Sequence, residues 1–327
     1  RLIDIDVYYK KPLNRQDLSC AMRTCLICDN YAHLCVRDQR HTREEIDEKV
    51  KEIICEFLVE YLTNVTIKAI YSELELFPKC GLVSHRDSGC HTDMNYETFV
   101  HSAFAIRHDI EAYIKEACNG EINPLQLNKI GQHAEKHMLH ATDGVNTHKG
   151  LIFLLGVFLP AVTKAIIENK NEAYVQEIMS CITQNIVGDY YQSLTKETAK
   201  TNGDWIYLNH HIKGVRGEAL QGLQLIFDIP TMVYHDDDIV HHDYLIQLMS
   251  ALDDTTIIHR TSIERLREIQ QEMTDFLHTG GYKSQKERFL EISNRYKAEG
   301  ISPGGSADML VIKIIYEDVR HLLKQLD

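Results

Sequence analysis

The pattern of apolar positions changes once, near residue 43. From Arg1 to Tyr9 (RLIDIDVYY) apolar and polar side chains alternate, with β-branched residues among them, which predicts a strand; Lys10-Lys11-Pro12 then turns the chain into a Cys-rich loop. Beyond it the period is helical. Thr42-Arg43-Glu44-Glu45 is a capping box, and Ile46, Val50, Ile53, Phe57, Tyr61 and Val65 follow at helical spacing, so a long amphipathic helix starts near residue 43. The same spacing predicts helices at 96–118, 124–140 (Asn123 as cap, Pro124 at the first position), 149–168, 172–189, 217–228, 243–253, 262–278, 285–298 and 306–326. The expected fold is mainly α: one globular multi-helix domain over 44–327, preceded by a short strand and a Cys-rich segment over 1–43.

Composition agrees. With 327 residues, 44% hydrophobic and 25% charged, the chain is neither disordered nor fibrous, and only 17 Gly and 6 Pro favour long helices over a turn-rich β fold. A net charge of -13 argues against nucleic acid or anionic lipid as a partner. The most apolar run, Leu151 to Val162, falls short of the roughly 20 residues that a bilayer needs and is expected to be a buried core helix. Nine cysteines, odd in number and without a secretory signal, predict reduced thiols in a cytoplasmic protein. Because the chain begins at Arg1 rather than Met, it is expected to be a piece of something longer.

The scarce glycines collect in four polar loops, 78–94, 144–150, 203–218 and 303–308, which on a rigid helical body predicts one composite site. Gly144-Val145-Asn146-Thr147-His148-Lys149-Gly150 precedes the apolar helix, where free backbone N–H groups, the positive end of the dipole and Lys149 suit a di- or triphosphate; the spacing is not that of a Walker A loop. Arg216, between two glycines, has room to approach a phosphate, and Glu218 in the next turn can take or orient a proton. The neighbouring His210-His211 pair suits either capping or metal binding. Gly304-Gly305 reads as an anion nest before Ser306, the expected helix cap, with Asp308 placed to carry a metal or hold a ribose hydroxyl. Asp253-Asp254 reads as the end of a helix, against the dipole, and suits Mg2+. His235-Asp236-Asp237-Asp238 with His241, His242 and Asp243 reads as a solvated acidic loop, with metal chemistry as the alternative. Cys25-x2-Cys28-x6-Cys35-x5-His41 offers ligands for tetrahedral Zn2+ although its second half matches no common finger spacing, and Asp4 and Asp6 share one strand face suited to Mg2+.

Five ordered segments resemble the triphosphoribosyl-dephospho-CoA synthase family, which makes the precursor of the citrate lyase prosthetic group. They are Pro78-Lys79-Cys80-Gly81-Leu82-Val83, Gly89-Cys90-His91-Thr92-Asp93-Met94, Gly144 to Gly150, Arg216-Gly217-Glu218-Ala219 and Ser302 to Asp308, within a resemblance that spans about 66 to 323. The N-terminal segment, with Arg1-Leu2-Ile3-Asp4-Ile5-Asp6-Val7, Arg23-x-Cys25-Leu26-x-Cys28 and Cys35-x-Arg37-x3-His41, resembles the C-terminal end of citrate lyase holo-acyl-carrier-protein synthase, a phosphoribosyl-dephospho-CoA transferase. A fusion of two successive enzymes is implied, with the transferase activity not expected from its tail alone.

The resemblance implies that ATP and 3′-dephospho-CoA become 2′-(5″-triphosphoribosyl)-3′-dephospho-CoA and adenine. Such glycosyl transfer needs a base for the attacking hydroxyl, a proton for the departing purine and a clamp on the triphosphate. The expected clamp is Lys149, Arg216 and the Gly304-Gly305 nest, with Asn146, Thr147, Arg260 and Ser306 as further substrate contacts. Glu218 or Asp93 is the expected base, His148 or His91 the purine acid, and Asp254 with Asp308 the Mg2+ carriers. Two other classes are weighed: a metal-dependent all-α enzyme acting on phosphate or diphosphate substrates through Asp236 to Asp243, and a non-catalytic docking partner for the citrate lyase acyl carrier protein.

Overall fold

A computed structural model describes residues 7–9, 11–13, 18–232, 234 and 236–324. The chain divides into two compact units, Arg1–Leu58 and Val59–Asp327, so the division expected near residue 43 falls farther along, inside the long helix.

In the first unit the period-two stretch gives a small antiparallel hairpin, β1 (Val7–Tyr9) with β2 (Lys11–Leu13). Asp4 and Asp6 lie outside the described residues. Thr24 bridges to Tyr31 and a short helix α1 (Ala32–Arg37) follows. Helix α2 (Arg43–Glu75) starts at the expected capping box: Thr42 Oγ1 accepts from Glu45 N at 3.2 Å and the Glu45 carboxylate accepts from Thr42 N at 2.8 Å.

The second unit is helical throughout its described residues. After α2 come α3 (Tyr96–Ala105), α4 (Arg107–Cys118), α5 (Pro124–Ala141), α6 (Lys149–Ile167), α7 (Glu172–Ser193), α8 (Asn202–His210), α9 (Val215–Leu220), α10 (Gln224–Asp228), α11 (Asp237–Ala251), α12 (Thr255–Arg260), α13 (Ile263–His278), α14 (Gly281–Ser284), α15 (Lys286–Ala298) and α16 (Gly304–Val319). The apolar helix α6 is the hub, packed on α4, α5, α7 and α16, while α11 packs on α13 and α16. By length and composition α6 is able to cross a bilayer, yet 72% of its apolar window is buried inside the fold. Burying a Leu, Val or Phe is worth about 1.5–3 kcal/mol, so Leu154, Val157, Phe158 and Leu159, all fully buried, make α6 the natural centre of the core. Helix α16 carries a buried Lys313, whose ammonium donates to the Ile226 and Ile229 carbonyls at 3.0 and 2.7 Å and pairs with Glu317 at 2.7 Å.

Several expected boundaries shift for local reasons. The 96–118 helix breaks at Ile106 into α3 and α4, and the 217–228 helix breaks into α9 and α10 because Gly222 and Leu223 both take positive φ. Helix α11 begins at Asp237, earlier than expected, because the Asp236 carboxylate caps it by accepting from Asp238 N at 3.1 Å. The expected loop after Ala251 contains α12: Leu252 ends α11, and Asp254 begins the next helix with its carboxylate on Thr256 N at 2.9 Å. Asp254 therefore sits at a favourable N-terminus rather than against a dipole.

Candidate active site

The four polar loops, the 203–218 loop only through Val215, and α12 meet around one cavity of about 280 Å³ in the second unit. Its wall contains His91, Asn146, Thr147, His148, Lys149, Gly150, Arg260, Gly304, Gly305 and Asp308 from the expected set. It also contains Glu73, Phe99, Thr255, Thr256 and Ser302, which periodicity does not single out. Glu73 and Phe99 lie within helical stretches and read there as ordinary helix positions.

The 144–150 loop is placed by its own side chains. Asn146 Oδ1 accepts from Lys149 N at 3.2 Å and starts α6. Thr147 donates its hydroxyl to Ser102 Oγ at 2.7 Å, and Ser102 in turn donates to His148 Nδ1 at 2.6 Å. An acceptor at Nδ1 leaves the proton on Nε2. Burial, with the Lys79 ammonium nearby, lowers the His148 pKa to about 4, so its ring is neutral at physiological pH. A neutral ring with its proton on Nε2 can donate a hydrogen bond at the cavity wall. Lys149, partly exposed, pairs with Glu135 at 2.9 Å.

The same wall carries two carboxyl side chains, Asp308 and Glu73. Asp308 accepts from Leu151 N at the start of α6, and its pKa is raised well above the usual carboxylate value, first by burial and then by the neighbouring Asp254 and Glu73 carboxylates. Gly150 allows this approach: a Cβ there would lie 2.0 Å from Asp308 Oδ2. Glu73 is neutralised by the buried Lys79, whose Nζ lies 2.7 Å from Glu73 Oε1 and 2.8 Å from the Glu73 carbonyl.

The 78–94 loop is anchored by tight backbone packing. At Gly81 φ is +82°, and a Cβ would lie 2.1 Å from the Ile301 carbonyl oxygen. The loop delivers His91, whose Nδ1 accepts from Arg260 Nη2 at 3.1 Å and whose Nε2 donates to Ser302 Oγ at 3.0 Å. Arg is only a donor, which fixes this tautomer. Burial and Arg260 lower the His91 pKa. With both nitrogens engaged, His91 ties Arg260 to Ser302.

Other expected residues are placed differently. Arg216 does not line the cavity; its guanidinium lies over the Phe153 and Tyr190 rings at 5.8 and 5.9 Å. Glu218 lies away from the cavity wall, accepts from Leu225 N, and is raised by burial and by Asp253 and Asp228. Asp93 has a largely exposed side chain 3.9 Å from His91 Nδ1, outside the lining. Asp254 is buried with its oxygens accepting from Thr256 N, Ser306 N and Ser306 Oγ at 2.9, 2.8 and 3.0 Å, so it staples α12 to α16, and it is not part of the cavity lining. Ser306 is thereby committed as well and does not cap α16, which begins at Gly304 with Pro303 as its cap residue. Gly304 and Gly305 are helical with no positive φ, so they form no nest; they admit Thr256 and Asp254, which a Cβ would meet at 3.2 and 3.0 Å.

The acidic stretch around Asp236 to Asp243 does not assemble a metal site among the described residues. His235 lies outside the described residues, and the Asp236 carboxylate caps α11. The His242 ring nitrogens face the Asp238 and Pro78 carbonyl oxygens, with the ring stacked 3.6 Å from Tyr282. Asp243 accepts from Tyr282 N at 2.7 Å. His211 ends α8 with a left-handed φ and packs against Tyr207, and neither it nor His210 joins a cluster of metal ligands among the described residues.

Comparisons with known proteins bear on the whole chain. The family described as ATP:dephospho-CoA triphosphoribosyl transferase matches residues 59–326, and that described as apo-citrate lyase phosphoribosyl-dephospho-CoA transferase matches residues 1–57. Protein CitXG of Haemophilus influenzae is 31% identical, over 98% of this chain and 74% of its own length. Protein CitXG of Leuconostoc mesenteroides subsp. cremoris is 30% identical, over 96% and 73%. A probable 2-(5''-triphosphoribosyl)-3'-dephosphocoenzyme-A synthase of Streptococcus equi subsp. equi is 31% identical, over 78% of this chain and 95% of its own. No solved structure matches the chain. The first family match contains every residue that lines the cavity, and the chain belongs to the ATP:dephospho-CoA triphosphoribosyl transferase family.

Proposed function

We propose that this cavity is where ATP and 3′-dephospho-CoA are converted to 2′-(5″-triphosphoribosyl)-3′-dephospho-CoA and adenine, the precursor step for the citrate lyase prosthetic group. The observation that carries the reading is the presence, in the wall of one 280 Å³ cavity, of two cationic side chains, Lys149 and Arg260, together with the carboxyl of Asp308. The volume sits just below the roughly 300 Å³ at which ligand pockets begin, which suits the reacting ribose and its nearest phosphates rather than two whole nucleotides.

In this reading a ribose hydroxyl of dephospho-CoA attacks the anomeric carbon of the ATP ribose. The new C–O bond forms as the C–N bond to adenine breaks, and the electron pair leaves with the purine. Asp308, raised by burial and by its acidic neighbours, takes the hydroxyl proton. His148, neutral with its proton on Nε2, donates a hydrogen bond to the departing base, which takes its proton from solvent and leaves as neutral adenine, while Asp308 gives the hydroxyl proton back to solvent. Lys149 and Arg260 hold the triphosphate, with His91 and Ser302 fixing Arg260. Mg2+ enters with ATP as part of that substrate, and Glu73 and Asp308 are the carboxylates in the wall whose oxygen donors suit it. The match of residues 1–57 supports a citrate lyase acyl carrier protein as the partner of that segment, and nine free cysteines suit a reducing, cytoplasmic setting.

Lys149→Ala and Arg260→Ala are expected to raise the KM for ATP by about 10- to 100-fold each, the loss of one charge-assisted contact, whereas Arg216→Ala leaves it within about threefold of the parent. Steady-state kinetics at varied ATP decide this. An unchanged KM in both lining variants, or an equal rise in Arg216→Ala, overturns the clamp.

A further inference from the structure

In the first unit Cys25, Cys28, Cys35 and His41 bring three Sγ atoms and one imidazole nitrogen within 4.8 Å of one another. From this geometry we propose that they bind one structural Zn2+ in a tetrahedral Cys3His site. Cys28 Sγ lies 3.5 Å from Cys35 Sγ, and His41 Nε2 lies 3.4 Å from Cys28 Sγ. Around a tetrahedral zinc, Zn–S bonds of about 2.3 Å and a Zn–N bond of about 2.0 Å put neighbouring ligand atoms roughly 3.5–3.8 Å apart, so these two edges have nearly the required length. The sulfur separation of 3.5 Å is far beyond the ~2.05 Å of a disulfide, and three thiols cannot all pair.

The surrounding backbone has the form that such a site requires. Cys25 N donates to the Asn30 carbonyl at 2.8 Å and Ala32 N to the Arg23 carbonyl at 2.9 Å, closing a tight loop that presents Cys25 and Cys28 side by side. Ile27 N donates to Cys25 Sγ at 3.4 Å and Asn30 Nδ2 to Cys28 Sγ at 3.5 Å, contacts that suit negative sulfur. Cys35 comes from α1, and the turn after it is held by Arg40 N on the Cys35 carbonyl at 3.1 Å, which brings His41 back to the group.

Burial supplies a second argument. Between residues 18 and 42 the buried side chains are Cys25 and Cys35, both members of the cluster, while Leu18, Met22, Ile27, Tyr31 and Val36 are exposed. A segment this short without an apolar core needs another source of folding free energy, and a metal provides it. Thiolate and imidazole donors select zinc over Mg2+ or Ca2+. Binding displaces three thiol protons, and His41 coordinates through Nε2 with its proton on Nδ1.

The test is metal analysis of the full chain purified under reducing conditions, followed by stripping and titration with Co2+. The expected result is about one zinc per chain, falling below about a tenth in Cys28→Ser and in His41→Ala. Cys20→Ser and Cys181→Ser, which alter exposed thiols outside the cluster, keep the parent content. The stripped chain gains the intense visible bands of tetrahedral thiolate-bound Co2+, bleached by one equivalent of Zn2+. A chain that purifies without zinc and gives no such bands overturns the proposal, as does equal zinc loss in the Cys20 and Cys181 variants. Metal content is read without the synthase assay, so this result and that of the proposed reaction stand or fall separately.

Discussion

Asp308→Asn is expected to slow adenine release by about 10²- to 10⁴-fold, the usual worth of a positioned base, while the folded chain melts at or above the temperature of the parent. The two halves have one cause. Asp308 is partly buried beside Asp254 and Glu73, and desolvation with these two carboxylates raises its pKa in the fold. A carboxyl whose folded pKa is raised binds its proton more tightly when folded, so its contribution is intact at low pH and is lost as pH climbs past the unfolded value of about 3.9. Asn keeps an oxygen for Leu151 N and cannot ionise, so the loss disappears together with the base. Thermal melts at pH 5 and pH 8 with parallel initial rates check this. A variant that keeps its activity within tenfold, or that melts far lower at pH 8, contradicts the assignment.

The second large effect is on stability. Lys79→Ala is expected to cost about 3–5 kcal/mol, because removing one partner of a buried ion pair leaves the other uncompensated. The Lys79 side chain is 1% exposed and that of Glu73 8%, at 2.7 Å separation. For a unit of this size the cost corresponds to a Tm lower by roughly 10 °C. The double variant Lys79→Met with Glu73→Leu recovers most of that loss, since no buried charge is left alone, but it does not recover activity because Glu73 faces the cavity. Equal Tm values for the parent and Lys79→Ala in calorimetry refute the account of this pair.

Both predictions turn on residues that periodicity treats unequally. Helix α6 is legible because its apolar run is long, and the start of α2 is legible because a capping box specifies its own two hydrogen bonds. The 144–150 loop is legible because a cluster of Asn, Thr, His and Lys before an apolar helix has few purely structural uses. Asp254 is not legible in the same way. An Asp pair between apolar stretches reads equally as the end of α11 or the cap of α12, and only packing on Ser306 decides. Arg216 and Glu218 look like site residues because they flank a glycine, yet the short helix α9 turns Arg216 onto Phe153 and Tyr190. The ionisation states of His148 and His91 are tertiary properties: each depends on burial and on a partner far away in sequence, Lys79 for one and Arg260 for the other.

The most direct test of the synthase reading is to incubate the purified chain with ATP, Mg2+ and 3′-dephospho-CoA and to follow both products by chromatography and mass spectrometry. The account predicts stoichiometric adenine and a dephospho-CoA heavier by one triphosphoribosyl group. Release of ADP or inorganic phosphate, with dephospho-CoA unchanged in mass, contradicts it.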